Sequence, residues 1–475
     1  MLTYQRATWF IILIWLLINA ATLNYNGPFF DEAIYITAGQ RTLEGHGYTD
    51  RYLVWFAGSL LWPMLAAVGY EVGGLFGTRL LAVLLSAAAL AAVVRVAHNL
   101  FGTRAAFWTA LAFAFSGPFI ALSRLGVVDI PALAGIALSL WAVTELVKHD
   151  DRRWLLVSSV CFTAAFFGKY PMGLMALPLA GLLILLRRQK ALMDISIFGF
   201  VGAALTLAFY LPGREQLSQV IPWTLGQVPT FGYTVAMLWF ELVYISVVPV
   251  ALALIGCFIV KEKQALCGVL VSSLFIWPAY HILSGNPVGQ QKHVVFGFLF
   301  AYPLIGWTLS RLWDTWAGRV VVGFFVIGMA VLGLPQASQF GRWWPDVRGA
   351  AAYLVMEVEP GQKLLINESW PYIMYLYANE RINSPWDVFD HYRITHGDST
   401  IDLCEYDWFV DSKGSYDWPE PILREIEQCG HFEPVYRARL IVFGLDRDLD
   451  LLNYPVSVTI WKNTSRTALH EKLED

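Results

Sequence analysis

Charge is what this 475-residue sequence has little of: Asp, Glu, Lys and Arg make up 15% of it, against 57% hydrophobic residues and a mean hydropathy of +0.51. That balance excludes a purely soluble globular chain and implies a multi-span membrane protein. A basic field is missing too. The net charge of -4 and the isoelectric point near 6.2 argue against nucleic acid as the main partner. Only five cysteines occur, with no paired C-x-x-C, no H-E-x-x-H, no P-loop and no G-x-S-x-G. No internal repeat or low-complexity tract stands out.

What is present is a series of apolar runs, with 20 Trp and 21 Tyr to sit at their interfacial ends. A membrane helix needs about 20 mostly apolar residues. The first run, Ala7 to Leu23, starts behind Arg6 and contains Ala20 and Ala21, as a signal peptide would. It continues to Leu23 without an A-x-A site, and is read as a retained span. Ten further runs begin near Thr78, Ala105, Ile130, Trp154, Tyr170, Ile195, Val235, Ala265, Val294 and Val320. One more apolar segment, 52–73, decides the sidedness of all that follows. If it does not cross, the clusters Lys148/Arg152/Arg153, Arg187/Arg188/Lys190, Lys261/Lys263 and Arg311/Arg319, together with Arg104, share a side with Arg6, as the positive-inside tendency requires. The segment is therefore read as interfacial or re-entrant, broken near Gly58 and Pro63.

The expected architecture is an α-helical polytopic membrane domain over 1–337 with about 11 transmembrane helices, a catalytic first outer loop over 24–56, and an external α/β domain over 338–475. The amino terminus is expected in the cytoplasm. In the external domain "KLLIN", "YDWFV" and "RARLIVFGL" read as strands and "PILREIEQCG" as a helix ended by Gly430. Cys161, Cys257 and Cys267 read as small apolar packing residues. Cys404 and Cys429 form a disulfide candidate on the oxidising side. Asn367-Glu-Ser and Asn463-Thr-Ser match glycosylation sequons, triplets that are common by chance.

With this sidedness, isolated charges gather at the outer ends of the spans. They are Asp31 and Glu32 in "NGPFFDEAIY", Arg79, Arg124 and Asp129 in "SRLGVVDIP", Lys169 in "FGKYP", and Lys292 with His293. A charge at membrane depth costs at least about 2.5 to 3.5 kcal/mol, so it usually faces a cavity or a partner. Carboxylates can take a proton from a hydroxyl, and Lys or Arg can hold a phosphate. Plainer roles stand beside each: a helix start for Asp31, Glu32 and Asp129, snorkelling for Arg79 and Arg124, an interfacial lysine for Lys169, and a core histidine for His281.

The order of these pieces resembles the C-type (GT-C fold) membrane glycosyltransferases, in the branch of protein O-mannosyltransferases and of aminoarabinose and galacturonic acid transferases. The resemblance runs from Ala7 to Trp313. It rests on "DEAIY", which is similar to the family's D-E-x-x-Y, on "GTRLLAVLLS", on "SRLGVVDIPAL" and on "FFGKYP". It implies an inverting transfer of a hexosyl or pentosyl unit from a polyprenyl-phosphate donor to an extracytoplasmic glycolipid, glycan or protein, at the inner (plasma) membrane. Asp31 would be the base, Glu32 and Asp129 supporting acids, and Lys169 a donor-phosphate contact. Arg124, Arg79, Arg51 and Lys292 would be further phosphate candidates, with Tyr35 and His293 as acceptor or supporting residues. A groove between spans would hold the prenyl chain. No cofactor is required by the resemblance, although Asp31, Glu32 and Asp129 offer oxygen ligands to a divalent cation. One departure concerns the donor head group: the family's Lys-Pro-Pro or His-Pro-Pro position falls in "WFAGSLLWPML", at Gly58 and Ser59. A lipid-linked sugar flippase or transporter would show inverted repeats and a mid-membrane site. A non-catalytic assembly subunit would carry a degenerate one.

Overall fold

The computed structural model describes residues 2–46, 61–214, 218, 235–236, 239, 242–261, 263–285, 289–340, 344–390, 402–413, 418–443 and 453–466. Arg51, Gly58, Ser59 and the start of the 52–73 segment lie outside the described residues. Two compact units emerge, one of 1–23 with 41–338 and one of 24–40 with 339–475. Residues 24–40, the first part of the loop after α1 (Leu2–Ala21), are thus grouped with the carboxyl-terminal segment, a grouping that hydropathy alone does not contain.

The first unit is helical. Its elements are α1 (Leu2–Ala21), α3 (Leu61–Phe101), α4 (Thr103–Ala114), α5 (Gly117–Ser123), α6 (Asp129–His149), α7 (Arg153–Gly168), α8 (Ala176–Arg187), α9 (Ala191–Tyr210), α10 (Val247–Ile259), α11 (Gln264–Ser284), α12 (Gln290–Leu312) and α13 (Trp316–Phe340). Helix α2 (Phe30–Leu43) begins in the second unit and ends in the first. Among the described residues seven helices are long and apolar enough to cross a membrane, eight if α4 and α5, bent by 69°, form one broken span. The chain is a multi-pass membrane protein. Among the described residues each of the eleven apolar runs of the sequence falls on helix, because a backbone in lipid must satisfy its hydrogen bonds within its own segment.

Helix α3 is broken at Gly73 and Gly74, where Gly74 takes φ 60°. The chain folds back there. A Cβ on Gly77 would stand 2.1 Å from the Gly69 carbonyl oxygen, and Thr78 Oγ1 donates to Ala66 O at 2.7 Å. Residues 61–72, about 18 Å of helix, are shorter than the ~30 Å of hydrocarbon. Small residues likewise let α6 and α7 touch, since a Cβ on Gly135 would meet Cys161 O at 2.6 Å. The most enclosed helices are α12 and α6, with 94% and 78% of their apolar windows buried. They form the centre of this unit and carry three of the charged residues singled out above.

The second unit adds α14 (Arg348–Glu357), α15 (Ser369–Ala378) and α16 (Glu420–Cys429) to strands β1 (Leu364–Ile366), β2 (Val388–Asp390), β3 (Trp408–Lys413), β4 (Phe432–Phe443) and β5 (Asn453–Asn463). The sheet order is β2-β1-β3-β5-β4, with β1 parallel to β2 and β3 and with β5 antiparallel to β3 and β4. Leu365, Phe389, Leu403, Tyr406, Phe409, Trp418 and Ile426 form its core. Gly430 ends α16 in the left-handed region, φ 67°. Cys404 and Cys429 are disulfide-bonded, with Cα atoms 5.5 Å apart. The two sequon asparagines are buried: Asn367 Nδ2 donates to Ser412 O, and Asn463 Nδ2 donates to Cys404 O and Tyr406 O. Both serve strand packing.

Candidate functional site

Within the first unit, four of the predicted residues meet where helices end. Asp129 is the first residue of α6, Lys169 follows the last residue of α7, and Lys292 and His293 lie in the first turn of α12. Local sequence explains each position. Pro131 suits a first helical turn, whose N–H groups have no intrahelical partner. Gly168 stands against Ala132, a Cβ there meeting Ala132 Cβ at 3.4 Å, so the end of α7 closes on the start of α6. Lys169 is then extended, φ -158° and ψ 107°, and leads into a short 3-10 turn containing Pro171. Gly289 opens α12 with φ 76°.

Lys169 Nζ is 2.5 Å from Asp129 Oδ1 and 2.5 Å from His293 Nε2. Lys292 Nζ is 3.8 Å from Asp129 Oδ2, and His293 Nε2 is 3.6 Å from Asp129 Oδ1. His293 Nδ1 lies 2.9 Å from His281 Nε2. An ammonium only donates, so His293 accepts through Nε2, carries its hydrogen on Nδ1 and donates it to His281. Trp277, fully buried, packs its ring 4.7 Å from that of His293.

In this arrangement one carboxylate faces two ammonium groups, which are side chains that can hold an anion. The side chain of Asp129 is 2% exposed and that of Lys292 11%, whereas Lys169 keeps 18%. Lys169 is the most accessible charge of the cluster. An apolar cavity of about 630 Å³ runs between α7, α8 and α9, lined among others by Phe166 and Gly173, which flank Lys169 in the sequence, and by Leu183, Phe198 and Leu207.

Other predicted residues go elsewhere. Arg79 is fully buried and its Nη1 donates to Leu23 O at 2.9 Å, while Arg124 Nε donates to Asn19 Oδ1 at 2.9 Å. Arg79 thereby satisfies a backbone carbonyl just past α1, and Arg124 the Asn19 side chain in its last turn, an end of the helix that favours cations. In the second unit, Asp31 and Glu32 occupy the first turn of α2. Glu32 is fully buried, and its carboxylate accepts the Phe29 N–H at 2.8 Å, a helix cap. Asp31 is half-buried, and Tyr35 is buried one turn on. Among the described residues no group of three or more His, Cys, Asp or Glu is arranged to hold a metal ion.

His281 and Trp277 were not among the predicted site residues. His281 was read as a hydrogen-bonded core histidine, and its partner, His293, is 12 positions away in the sequence. Two histidines at the facing ends of consecutive apolar helices are the only signal a sequence offers for such a pair.

The fold, a helical membrane unit followed by a small sheet unit, is that of GT-C proteins of known structure. Residues 59–213 match the family described as dolichyl-phosphate-mannose-protein mannosyltransferase, a stretch that includes Asp129 and Lys169. Among solved structures the chain is similar to ArnT from Cupriavidus metallidurans in the apo state. That likeness has a TM-score of 0.62 and 13% identity, and covers 95% of this chain and 97% of that one. The same enzyme bound to undecaprenyl phosphate gives 0.61 and 14%, with the same coverage. The Archaeoglobus fulgidus oligosaccharyltransferase in the apo form gives 0.51 and 11%, covering 85% of this chain and 69% of that one. No curated protein sequence matches the chain.

Proposed function

We propose that the chain is an inverting membrane glycosyltransferase that moves one sugar from a polyprenyl phosphate to an acceptor hydroxyl on the outer side of the membrane. The observation that carries this reading is the Asp129–Lys169–His293–Lys292 cluster, with Asp129 and Lys169 inside the matched stretch and an apolar cavity in the same unit lined by Phe166 and Gly173. The binding of undecaprenyl phosphate by the structurally similar ArnT supports a prenyl phosphate as donor.

In this mechanism the acceptor oxygen attacks the anomeric carbon, and the bond from that carbon to the phosphate oxygen breaks with its electron pair passing to the phosphate. The leaving phosphate gains negative charge. Lys169 and Lys292 stabilise it, and Asp129 holds both ammonium groups in place. Because a phosphate is stable as an anion, no strong general acid is needed. The acceptor proton passes to a carboxylate, a role assigned to Asp31 through the similarity of "DEAIY" to the family motif. Lys169 takes over the charge that the family carries in its Lys-Pro-Pro or His-Pro-Pro position. The prenyl chain lies along the cavity between α7 and α9.

The test is donor binding and transfer by purified enzyme in nanodiscs, using undecaprenyl phosphate and a labelled polyprenyl-phosphate sugar. Lys169→Ala is expected to weaken binding of undecaprenyl phosphate by about tenfold to a hundredfold, the worth of a charge-assisted hydrogen bond. Unchanged binding by that variant would remove Lys169 from the phosphate site.

A further inference from the structure

The sides of α11 and α12 that face each other are laid out in steps of one helical turn. Ser273, Trp277 and His281 follow at intervals of four along α11, while Gly297 and His293, then Gly289 just ahead of the helix, do so in the opposite sense along α12. At the first level the helices nearly touch: Ser273 Oγ donates to Gly297 O at 3.2 Å, and a Cβ on Gly297 would meet Ser273 O at 2.7 Å. One turn on, Trp277 holds the His293 ring at 4.7 Å, and the His281 ring lies 5.0 Å from it with the two planes 15° apart. A Cβ on Gly289 would stand 3.1 Å from His293 Nε2, so glycine leaves room beside that nitrogen.

The Lys169 ammonium has no lone pair, so its approach to His293 Nε2 at 2.5 Å requires that nitrogen to be without hydrogen. Which ring nitrogen carries the hydrogen is set by the bond that the other one makes. The other one is Nδ1, 2.9 Å from His281 Nε2, and both rings are buried, His281 at 1% exposure and His293 at 6%. An apolar side chain in place of His281 would take away the acceptor for that Nδ1 hydrogen. The hydrogen would then favour Nε2, where it points at the ammonium. Through His293, His281 thus keeps a lone pair directed at Lys169.

We infer that His281 is a positioning residue for the donor phosphate: by accepting the Nδ1 hydrogen of His293 it fixes the tautomer that holds the Lys169 ammonium in place. This rests on the glycosyltransferase reading above and adds to it a residue that acts on the phosphate only through two others.

The test uses the full chain in nanodiscs and compares His281→Leu, which removes the acceptor nitrogen, with His281→Gln, whose amide oxygen can replace it. His281→Leu is expected to weaken undecaprenyl phosphate binding about fivefold, as loss of a hydrogen bond worth ~1 kcal/mol requires, and His281→Gln should restore most of it. Undecaprenol, the same chain without the phosphate, should bind both variants as it binds the wild type. Nitrogen NMR of histidine-labelled protein reads the tautomer, with His293 assigned by its loss in His293→Gln. The wild type and His281→Gln should carry the His293 hydrogen on Nδ1, and His281→Leu should carry it on Nε2. A wild-type His293 with its hydrogen on Nε2 overturns the proposal, whether or not the leucine variant folds. Equal losses in the two variants, or a parallel loss of undecaprenol binding, would reduce His281 to a packing residue and overturn it too. Lys169→Ala, measured alongside, separates the two levels. If it weakens undecaprenyl phosphate binding and His281→Leu does not, the positioning role alone falls; if it leaves binding unchanged, the phosphate role of Lys169 falls with it.

Discussion

Lys169 reaches Asp129 across 40 positions of sequence, its Nζ 2.5 Å from Oδ1, at the point where the end of α7 closes on the start of α6. The pair is mostly enclosed, and Lys292 adds a second cation 3.8 Å from the other oxygen. Removing one partner of a buried pair leaves an uncompensated charge and costs about 3 to 5 kcal/mol. Asp129→Ala should therefore lower thermal stability in detergent markedly, and Lys169→Ala less so, since Lys292 and His293 still face Asp129. The double variant should be more stable than the sum of the two losses implies. Additive losses in a thermal-shift cycle would show that the pair is not coupled.

Asp31 and Glu32 are adjacent, yet their variants should behave differently. Asp31→Asn removes the assigned base, and transfer should fall by about 10²- to 10⁴-fold with expression retained. Glu32 caps α2 through the Phe29 N–H. Glu32→Gln keeps an acceptor at that position, so stability should drop by no more than about 1 kcal/mol. Turnover of a labelled donor by the two purified variants decides the matter: equal defects would argue that both act through the helix start.

The disulfide between Cys404 and Cys429 ties the short turn before β3 to the end of α16, closing a loop of 25 residues. Loop-closure entropy puts its contribution at roughly 3 kcal/mol. Cys404→Ser with Cys429→Ser, or reduction of the wild type, should make the sheet unit markedly more sensitive to limited proteolysis. Protease resistance that survives reduction would mean that the sheet core stabilises this unit without the bond.

Asp150 gives the clearest pH dependence. It follows α6 in the left-handed region, and hydrogen bonds from Lys190 and Arg187 hold its carboxyl down to about 2. A depressed carboxyl stabilises the folded state above the ordinary carboxylate range, near 4. That contribution is lost as pH falls from about 4 toward 2. Wild type and Asp150→Asn should therefore differ in melting temperature at pH 7 and converge at pH 3 and below. A difference that persists at low pH would assign the effect to helix ending instead.

Much of the fold is legible in the sequence, for a reason that applies to lipid. Apolar runs such as 130–147 and 265–283 can only be helices there, so their positions follow from hydropathy. In the sheet unit, "KLLIN" and "YDWFV" announce β1 and β3 by composition. Strand β2 and the whole of β5 carry weaker local signals. Their place in the sheet depends on pairing with strands far along the chain. Lys292 and His293 were expected just ahead of the tenth apolar run, and the helix in fact begins before them, at Gln290, so both are buried in its first turn. Polar residues at a helix start blur the hydropathy edge, although the helix itself continues through them.

The sequence by itself determined the class of molecule, the helical runs, the small sheet unit and the short roster of charges that could act. Those features depend on composition and on local periodicity. Only the tertiary structure decided which of those charges meet. It joined Asp129, Lys169, Lys292 and His293, turned Arg79 and Arg124 to the end of α1, and paired His293 with His281. Each of these contacts spans many residues, and its geometry is fixed by helix packing at positions such as Gly168 and Gly135, where the absence of a side chain sets how closely two helices approach.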